Sequence, residues 1–98
     1  MPVLATADVD AIAAAIMSCP AVAGLHEGGN LAVATYLPGR RVVGVRVEDQ
    51  RVLVSVVLAS GSSVRMLEAQ VRSRLARHVR GRRVDVHVAD VQTAMDRS

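Results

Sequence analysis

The sequence almost lacks aromatic side chains: Tyr36 is its single aromatic residue, and it has neither Trp nor Phe. Because single-stranded nucleic acids are commonly held by stacking their bases on aromatic rings, this scarcity disfavours a site of that kind. The core must instead be built from the aliphatic residues that dominate an apolar content of 51%. That content, in a chain of 98 residues, predicts one folded domain rather than a disordered segment.

Cysteine is equally scarce. Cys19 is alone, so the chain cannot form an internal disulfide, and a zinc site based on cysteine lacks ligands. His26, His78 and His87 fall in three different predicted elements, so we expect separate histidines rather than a metal or nucleophile site. No serine stands in a G-x-S-x-G or S-x-x-K context. The sequence therefore predicts no cofactor, no metal and no enzymatic activity.

Lysine is absent, so all twelve basic residues are arginines, and they exceed the nine acids to give a net charge of +3. Every arginine lies in residues 40–98, whereas residues 1–39 carry only the acids Asp8, Asp10 and Glu27. Two interpretations of this polarity stay open. The acidic part of one copy could meet the basic part of another, or the arginines could form an ordinary solvated surface.

Long hydrophobic runs are also missing, since no uncharged stretch reaches the 18 residues that a membrane-spanning helix requires. Residues 21–23 resemble a signal-peptide cleavage site. The stretch before them has no basic residue, however, and carries Asp8 and Asp10. We therefore expect a cytoplasmic protein without a signal peptide.

What is present is a clear periodicity. Val9, Ile12 and Ile16 have helical spacing, and Asp8 before them is the expected N-cap of a first helix that ends at Pro20. The opposite face of this helix is formed by small uncharged residues. That face could pack closely against a partner, or alanine could stand there for its helix propensity alone. Its alanines are Ala11, Ala14 and Ala15.

Strand-like alternation follows. Residues 43–47 and 52–58 predict a hairpin whose second strand, apolar on both faces, lies at the centre of a sheet. Residues 31–37 could add a strand, residues 64–80 predict a second helix capped by the serines before it and stopped by Gly81, and residues 84–88 predict a last strand.

The expected fold is α+β. It has a small, mostly antiparallel sheet of three to four strands with two helices on one face, in the order α-(β)-β-β-α-β. We expect a single domain, 1–98, in which residues 1–6 and 92–98 are frayed tails.

A small α+β domain rich in arginine also invites comparison with RNA-binding KH domains, which grip the backbone with a G-x-x-G loop. No two glycines here are three residues apart, so that loop is missing. Arg40, Arg41, Arg82 and Arg83 could still form a basic patch where a turn meets the last strand. A small nucleic-acid-binding domain is the alternative function, and the same patch could attract anionic lipid or an acidic partner.

Three stretches resemble a known family. Residues 20–25 (PAVAGL), 35–47 (TYLPGRRVVGVRV) and 83–91 (RVDVHVADV) are similar to the turn, the central stretch and the closing strand of the alkaline-shock-protein family of bacterial envelope stress response proteins, in its actinobacterial form. The similarity extends over residues 5–92.

The resemblance implies a non-enzymatic interaction or scaffold protein for cell-envelope homeostasis, with no catalytic residues to carry over. It implies a position near the inner face of the membrane, and self-association or binding to a small membrane anchor protein. The residues that we expect to make such contacts lie on the first helix and at the basic end of the chain. They are Ala11, Ala14, Ala15, Arg40, Arg41, Arg82 and Arg83.

Overall fold

The computed structural model describes residues 6–93. Over that range the chain forms two α-helices, six strands and one short 3-10 turn, Gly29–Leu31, between the first two strands. In chain order the main elements are α1 (Thr6–Met17), β1 (Val22–Leu25), β2 (Ala34–Leu37), β3 (Arg40–Val43), β4 (Val45–Val47), β5 (Arg51–Leu58), α2 (Val64–Leu75) and β6 (Arg83–Val91).

The strand β5 is the centre of the main sheet. On one side it pairs in parallel with β6, and on the other it pairs in antiparallel fashion with both β4 and β1. The predicted hairpin and the central position of its second strand are confirmed, with Val45 opposite Val54 and Val47 opposite Val52. The fold is α+β as predicted, and its small sheet is mixed because the closing strand runs parallel to its neighbour.

The strands β1 and β4 lie end to end along the same edge of β5 and meet at Ser55. The Ser55 carbonyl accepts the N–H of His26 at 2.9 Å, and the Ser55 N–H donates to the Gly44 carbonyl at 2.9 Å. Between these two bonds the chain leaves the sheet and returns to it. We call residues 26–44 the excursion. It contains the 3-10 turn and the β2–β3 hairpin.

Gly44 closes the excursion and has no room for a side chain. Its φ of 87° is left-handed, and a Cβ would lie 2.8 Å from the Leu25 Cβ and 2.9 Å from the Ser55 carbonyl oxygen. The strand that comes down from the hairpin therefore turns sharply into β4 only because this residue is glycine.

The β2–β3 hairpin is a small separate sheet, paired from Ala34 opposite Val43 to Leu37 opposite Arg40. The strand predicted within residues 31–37 thus begins at Ala34. The Thr35 hydroxyl donates to the Val45 carbonyl at 2.5 Å, and the Gly44 N–H donates to the Val33 carbonyl at 2.9 Å. These bonds fix the base of the hairpin to the main sheet.

Both helices cover one face of the main sheet, as predicted. Alternate side chains of β5 point to this face, and each fully buried aliphatic side chain contributes roughly 1.5–3 kcal/mol of transfer free energy. The largest fully buried members of this core are Ile12, Ile16, Leu67, Leu75, Val45, Val52, Val54, Val56 and Val71.

Two predicted helix boundaries differ from the structure. The helix α1 begins at Thr6, so Asp8 lies in its first turn and is not the N-cap. The helix α2 ends at Leu75 rather than near Gly81, because the His78 N–H bonds the Leu75 carbonyl in a tight turn that starts the reversal toward β6. Its predicted start is confirmed: the Ser63 hydroxyl accepts the Met66 N–H at 3.1 Å.

Most of the predicted tails, residues 1–5 and 94–98, lies outside the described residues. Thr6 belongs to α1. Gln92 forms two hydrogen bonds. Its backbone N–H donates to the Leu58 carbonyl at 2.8 Å, and its side-chain oxygen accepts the Ser60 N–H at 3.1 Å.

Candidate protein-interaction site

The only aromatic side chain of the protein lies on its surface. Tyr36 is in β2, and 74% of its area is exposed, more than for any other large hydrophobic residue in the described range. Its cross-strand partner is Arg41, which is also exposed. Tyrosine and arginine are the residue types that most often carry binding energy in protein interfaces, so this pair draws attention to the hairpin.

Beside Tyr36 lies a cleft of about 190 Å³. It is lined by the loop that enters the hairpin, including the fully buried Val33, and by Tyr36 and Arg41 of the hairpin itself. This loop has an unusual backbone: Gly28 and Gly29 have φ of 92° and 56°, and Ala32 has φ of 53° although it carries a Cβ. Left-handed backbone in a non-glycine residue costs free energy and persists only where neighbouring contacts enforce it.

Those contacts are short backbone bonds within the loop. The Val33 N–H donates to the Glu27 carbonyl at 2.7 Å, and the Leu31 N–H donates to the Gly28 carbonyl at 3.0 Å. The ring Nδ1 of His26 accepts the Gly28 N–H at 2.8 Å. The cleft is therefore a preformed feature of the surface.

The cleft holds two unpaired charges of opposite sign, those of Glu27 and Arg41. Neither side chain makes a hydrogen bond or an ion pair within residues 6–93. Most arginines differ from Arg41 in this respect. Of the eleven in that range, the eight that donate to acceptors of the chain are Arg40, Arg46, Arg51, Arg72, Arg74, Arg80, Arg82 and Arg83.

Of the four arginines in the patch predicted from the sequence, Arg41 alone has its guanidinium without a partner in the described chain. Arg40 forms a two-bond ion pair with Asp10, at 2.8 and 3.2 Å, and this hydrogen bonding raises the pKa of Arg40. Arg82 donates to the Glu48 carbonyl at 2.8 Å, and Arg83 pairs with Asp85 at 3.2 Å. The guanidinium groups of these three arginines are engaged within the chain.

The charge polarity of the sequence is largely compensated within one copy. Asp8 pairs with Arg80 at 3.3 Å and Asp10 pairs with Arg40, so two of the three acids in residues 1–39 already face arginines of the same chain. The third acid is Glu27 at the cleft.

The alanines predicted to form a contact face on α1 lie in different environments. Ala14 is exposed and Ala11 is half-buried, whereas Ala15 packs against the core. The Ala15 carbonyl also accepts the Ser18 hydroxyl at 2.6 Å. Only Ala14 is therefore fully presented to the surface of the described chain.

Glu48 and Asp85, on the side of the main sheet away from the helices, take part in a chain of ion pairs. Glu48 accepts from Arg46 at 3.0 Å and from Arg51 at 2.6 Å, and Arg51 also donates to Asp85 at 3.1 Å. The hydrogen bonds from Arg51 lower the pKa of both Glu48 and Asp85. A carboxyl held ionised in this way is a poor proton donor near neutral pH.

The cysteine and the three histidines lie in or beside four different elements of the described chain. Cys19 is buried, and this burial raises the pKa of its thiol. His87 lies opposite Ser55 in the β5–β6 pairing, and the buried Ser55 hydroxyl has no hydrogen-bond partner within the described range. Residues 6–93 contain no group of three potential metal ligands. Neither of the two described helices, each of 12 residues, is long and apolar enough to cross a membrane.

Sequence reasoning found Arg41 but missed Tyr36 and Glu27 as site residues. Part of the signal was available, because Tyr36 stands two residues before the turn-forming pair Pro38-Gly39, in a chain whose core is otherwise aliphatic. Comparison with protein-family models, curated proteins and solved structures gave no match for this chain. The resemblance to the alkaline-shock-protein family therefore stays a prediction.

Proposed function

We propose that this protein is a non-enzymatic interaction module that binds another protein through the cleft beside Tyr36. The observation that carries the proposal is the presence of the exposed ring of Tyr36 beside the unpaired charges of Glu27 and Arg41. Exposing an aromatic ring to water is unfavourable, and burying it in a partner is favourable. The two charges then select that partner.

In the setting that the resemblance implies, the module acts in the envelope stress response of a bacterium. It lies in the cytoplasm near the inner face of the membrane, and its partner is a second copy or a small membrane anchor protein. The scarcity of unpaired arginines supports a protein partner over nucleic acid, because phosphate binding depends on arginines that are not already engaged.

The test is site-specific photo-crosslinking in living cells. A photoreactive phenylalanine derivative at position 36 is expected to give discrete adducts with a protein. The same derivative at Met66, which is half-exposed on α2, serves as the control and is expected to give none. Equal adduct patterns from both positions, or no adduct from position 36, would contradict the proposal.

The nucleic-acid alternative has its own measurement. Fluorescence anisotropy of a labelled oligonucleotide, titrated at about 50 and 200 mM salt, reports phosphate contacts through the loss of affinity with salt. We expect no binding at the lower salt concentration. Tight binding that falls steeply at the higher one would favour the alternative.

A further inference from the structure

We infer that the surface around the cleft, formed by Glu27, Tyr36 and Arg41, binds the same surface of a second copy across a two-fold axis. This inference rests on the proposed function and names the partner of that site. In the contact, Arg41 of each copy pairs with Glu27 of the other, and the two Tyr36 rings lie near the axis.

The first step is the distribution of unpaired charge. Among the described residues, Arg41, Arg65 and Arg77 are the arginines without a partner, and Glu27 and Asp49 are the acids that bond neither an arginine nor the backbone through their side chains. The cleft is where an unpaired acid and an unpaired arginine lie together. Both line the cleft, and they form no ion pair with each other.

The second step is symmetry. In a two-fold contact the residue i of one copy meets the residue j of the other, and the reverse holds at the same time. A patch with one positive and one negative side chain is then complementary to itself, and both unpaired charges are satisfied by one partner. No second kind of molecule is required to explain why both signs are present.

The third step is the aromatic ring that lines the same cleft as the two charges. Tyr36 supplies the apolar area that a charged contact lacks, and tyrosine rings across an axis can stack in an offset arrangement. A contact built on one short hairpin is small beside the standard interface of about 800 Å² per partner. We therefore expect a dimer that forms and dissociates with concentration.

This contact differs from the head-to-tail association that the charge polarity of the sequence suggested. Asp8 and Asp10 are engaged within their own chain, and a head-to-tail contact would extend into a filament. A two-fold contact through the cleft closes after two copies. The expected mass at high concentration is twice 10.4 kDa.

The experiment is sedimentation velocity of the full chain over a concentration series. Wild type is expected to shift from monomer to dimer. Arg41→Glu places two acids opposite two acids, and Glu27→Arg places two arginines opposite two arginines, so each single variant is expected to dimerise at least about tenfold more weakly.

The decisive sample is the mixture of the two single variants. Across a two-fold axis, Arg41→Glu and Glu27→Arg are complementary to each other, so the mixture is expected to form the dimer that neither variant forms alone. The double variant E27R/R41E is expected to dimerise as wild type does. Arg65→Glu and Asp49→Arg make the same charge changes at unpaired residues outside the cleft and are expected to leave the wild-type mass unchanged.

A monomer at every concentration would overturn the inference, as would an association that Arg41→Glu leaves intact or that the mixture fails to restore. Masses above the dimer would also overturn it, because a two-fold contact is closed. The crosslinking separates this failure from that of the proposed function: an adduct of position 36 with a different protein keeps the function and rejects the second copy as partner.

Discussion

At the scale of single residues, Gly44 decides whether the excursion can close. A Cβ at this position would meet the Ser55 carbonyl oxygen, which is backbone and cannot move aside without disturbing the centre of the sheet. The positive φ adds a penalty of about 1–2 kcal/mol for any residue with a side chain.

We therefore expect Gly44→Ala to reduce the free energy of unfolding by more than about 2 kcal/mol, from strain and steric overlap together. Gly39→Ala is the control, since Gly39 also has a positive φ, of 77°, but has open space around its Cβ position. Urea denaturation of both variants measures the difference. Equal losses would show that the backbone conformation alone accounts for the effect.

Glu48 gives a prediction for pH. The hydrogen bond from Arg51 lowers the pKa of Glu48 in the folded protein. The Arg51–Glu48 pair therefore contributes stability at pH values above the ordinary carboxyl pKa near 4, and this contribution is lost as the pH falls through the lowered pKa of Glu48. Glu48→Gln removes it. The deficit of this variant relative to wild type is expected to be largest near pH 6 and to shrink toward pH 3.

The urea midpoints of both proteins from pH 6 to pH 3 provide the measurement. Asp49→Asn removes an exposed acid that has no ion pair in the described chain, and it is the control for the loss of one negative charge in the same turn. A deficit of Glu48→Gln that grows in acid would mean that the sign of the pKa shift is opposite.

At the scale of elements, β6 forms one edge of the main sheet and needs protection from strand pairing with other chains. The Arg83 N–H bonds the Gln50 carbonyl beside β5, so by strand alternation the Val84 carbonyl faces away from the sheet. Arg72 on α2 reaches over and donates to that carbonyl. One helix side chain therefore occupies part of the open edge.

Removing this guanidinium is expected to make the protein more prone to aggregation. Arg72→Ala should raise light scattering on prolonged incubation at high concentration, with little change in secondary structure by circular dichroism. Arg65→Ala removes an arginine of the same helix that has no partner among the described residues, and it is the matched control. The same aggregation rate in both variants would assign the effect to lost net charge.

The elements also show where sequence reasoning succeeds and where it stops. The hairpin of β4 and β5 and the Ser63 cap depend on neighbours in sequence, so alternation and side-chain chemistry predict them. The strand β1 is four residues long with a register shift between Val22 and Gly24, too short and irregular for a periodic signal.

Sequence patterns do not predict the partners of charged residues. Arg40 pairs with Asp10 and Arg80 with Asp8, across 30 and 72 residues of chain, and only the folded structure brings them together. The sequence therefore indicated a basic patch of four arginines, of which one, Arg41, is available for a partner. Aromatic rings are usually core residues, so the exposure of Tyr36 depended on its place in a hairpin that the sequence only partly revealed.

At the scale of the whole molecule, β5 is paired along both edges, whereas the excursion is joined to the main sheet only at its base. Opening the excursion removes Val42 from the core and breaks the Arg40–Asp10 ion pair, but it leaves the pairing of β5 with its three neighbouring strands intact. Regions that open without breaking the central strand pairing exchange their amide hydrogens more readily than central strands.

Native-state hydrogen exchange is therefore expected to give the highest protection in residues 52–57 and clearly lower protection in residues 34–37. The comparison is internal, because both ranges are strands in one sample. Equal protection would mean that the hairpin and the main sheet unfold as one unit, and that the cleft is as rigid as the core.

The meeting of β1 and β4 at Ser55 has a consequence for how this architecture can be varied. His26 and Gly44 bond the same residue of the framework, so the two ends of the intervening segment are held close together by the sheet itself. The segment is thus a cassette: a segment of another length or sequence can span the same two anchor points. Different loops could be displayed on one scaffold as long as an apolar side chain replaces Val42 in the core. Under the proposed function, transplanting residues 27–43 would transfer binding specificity along with them.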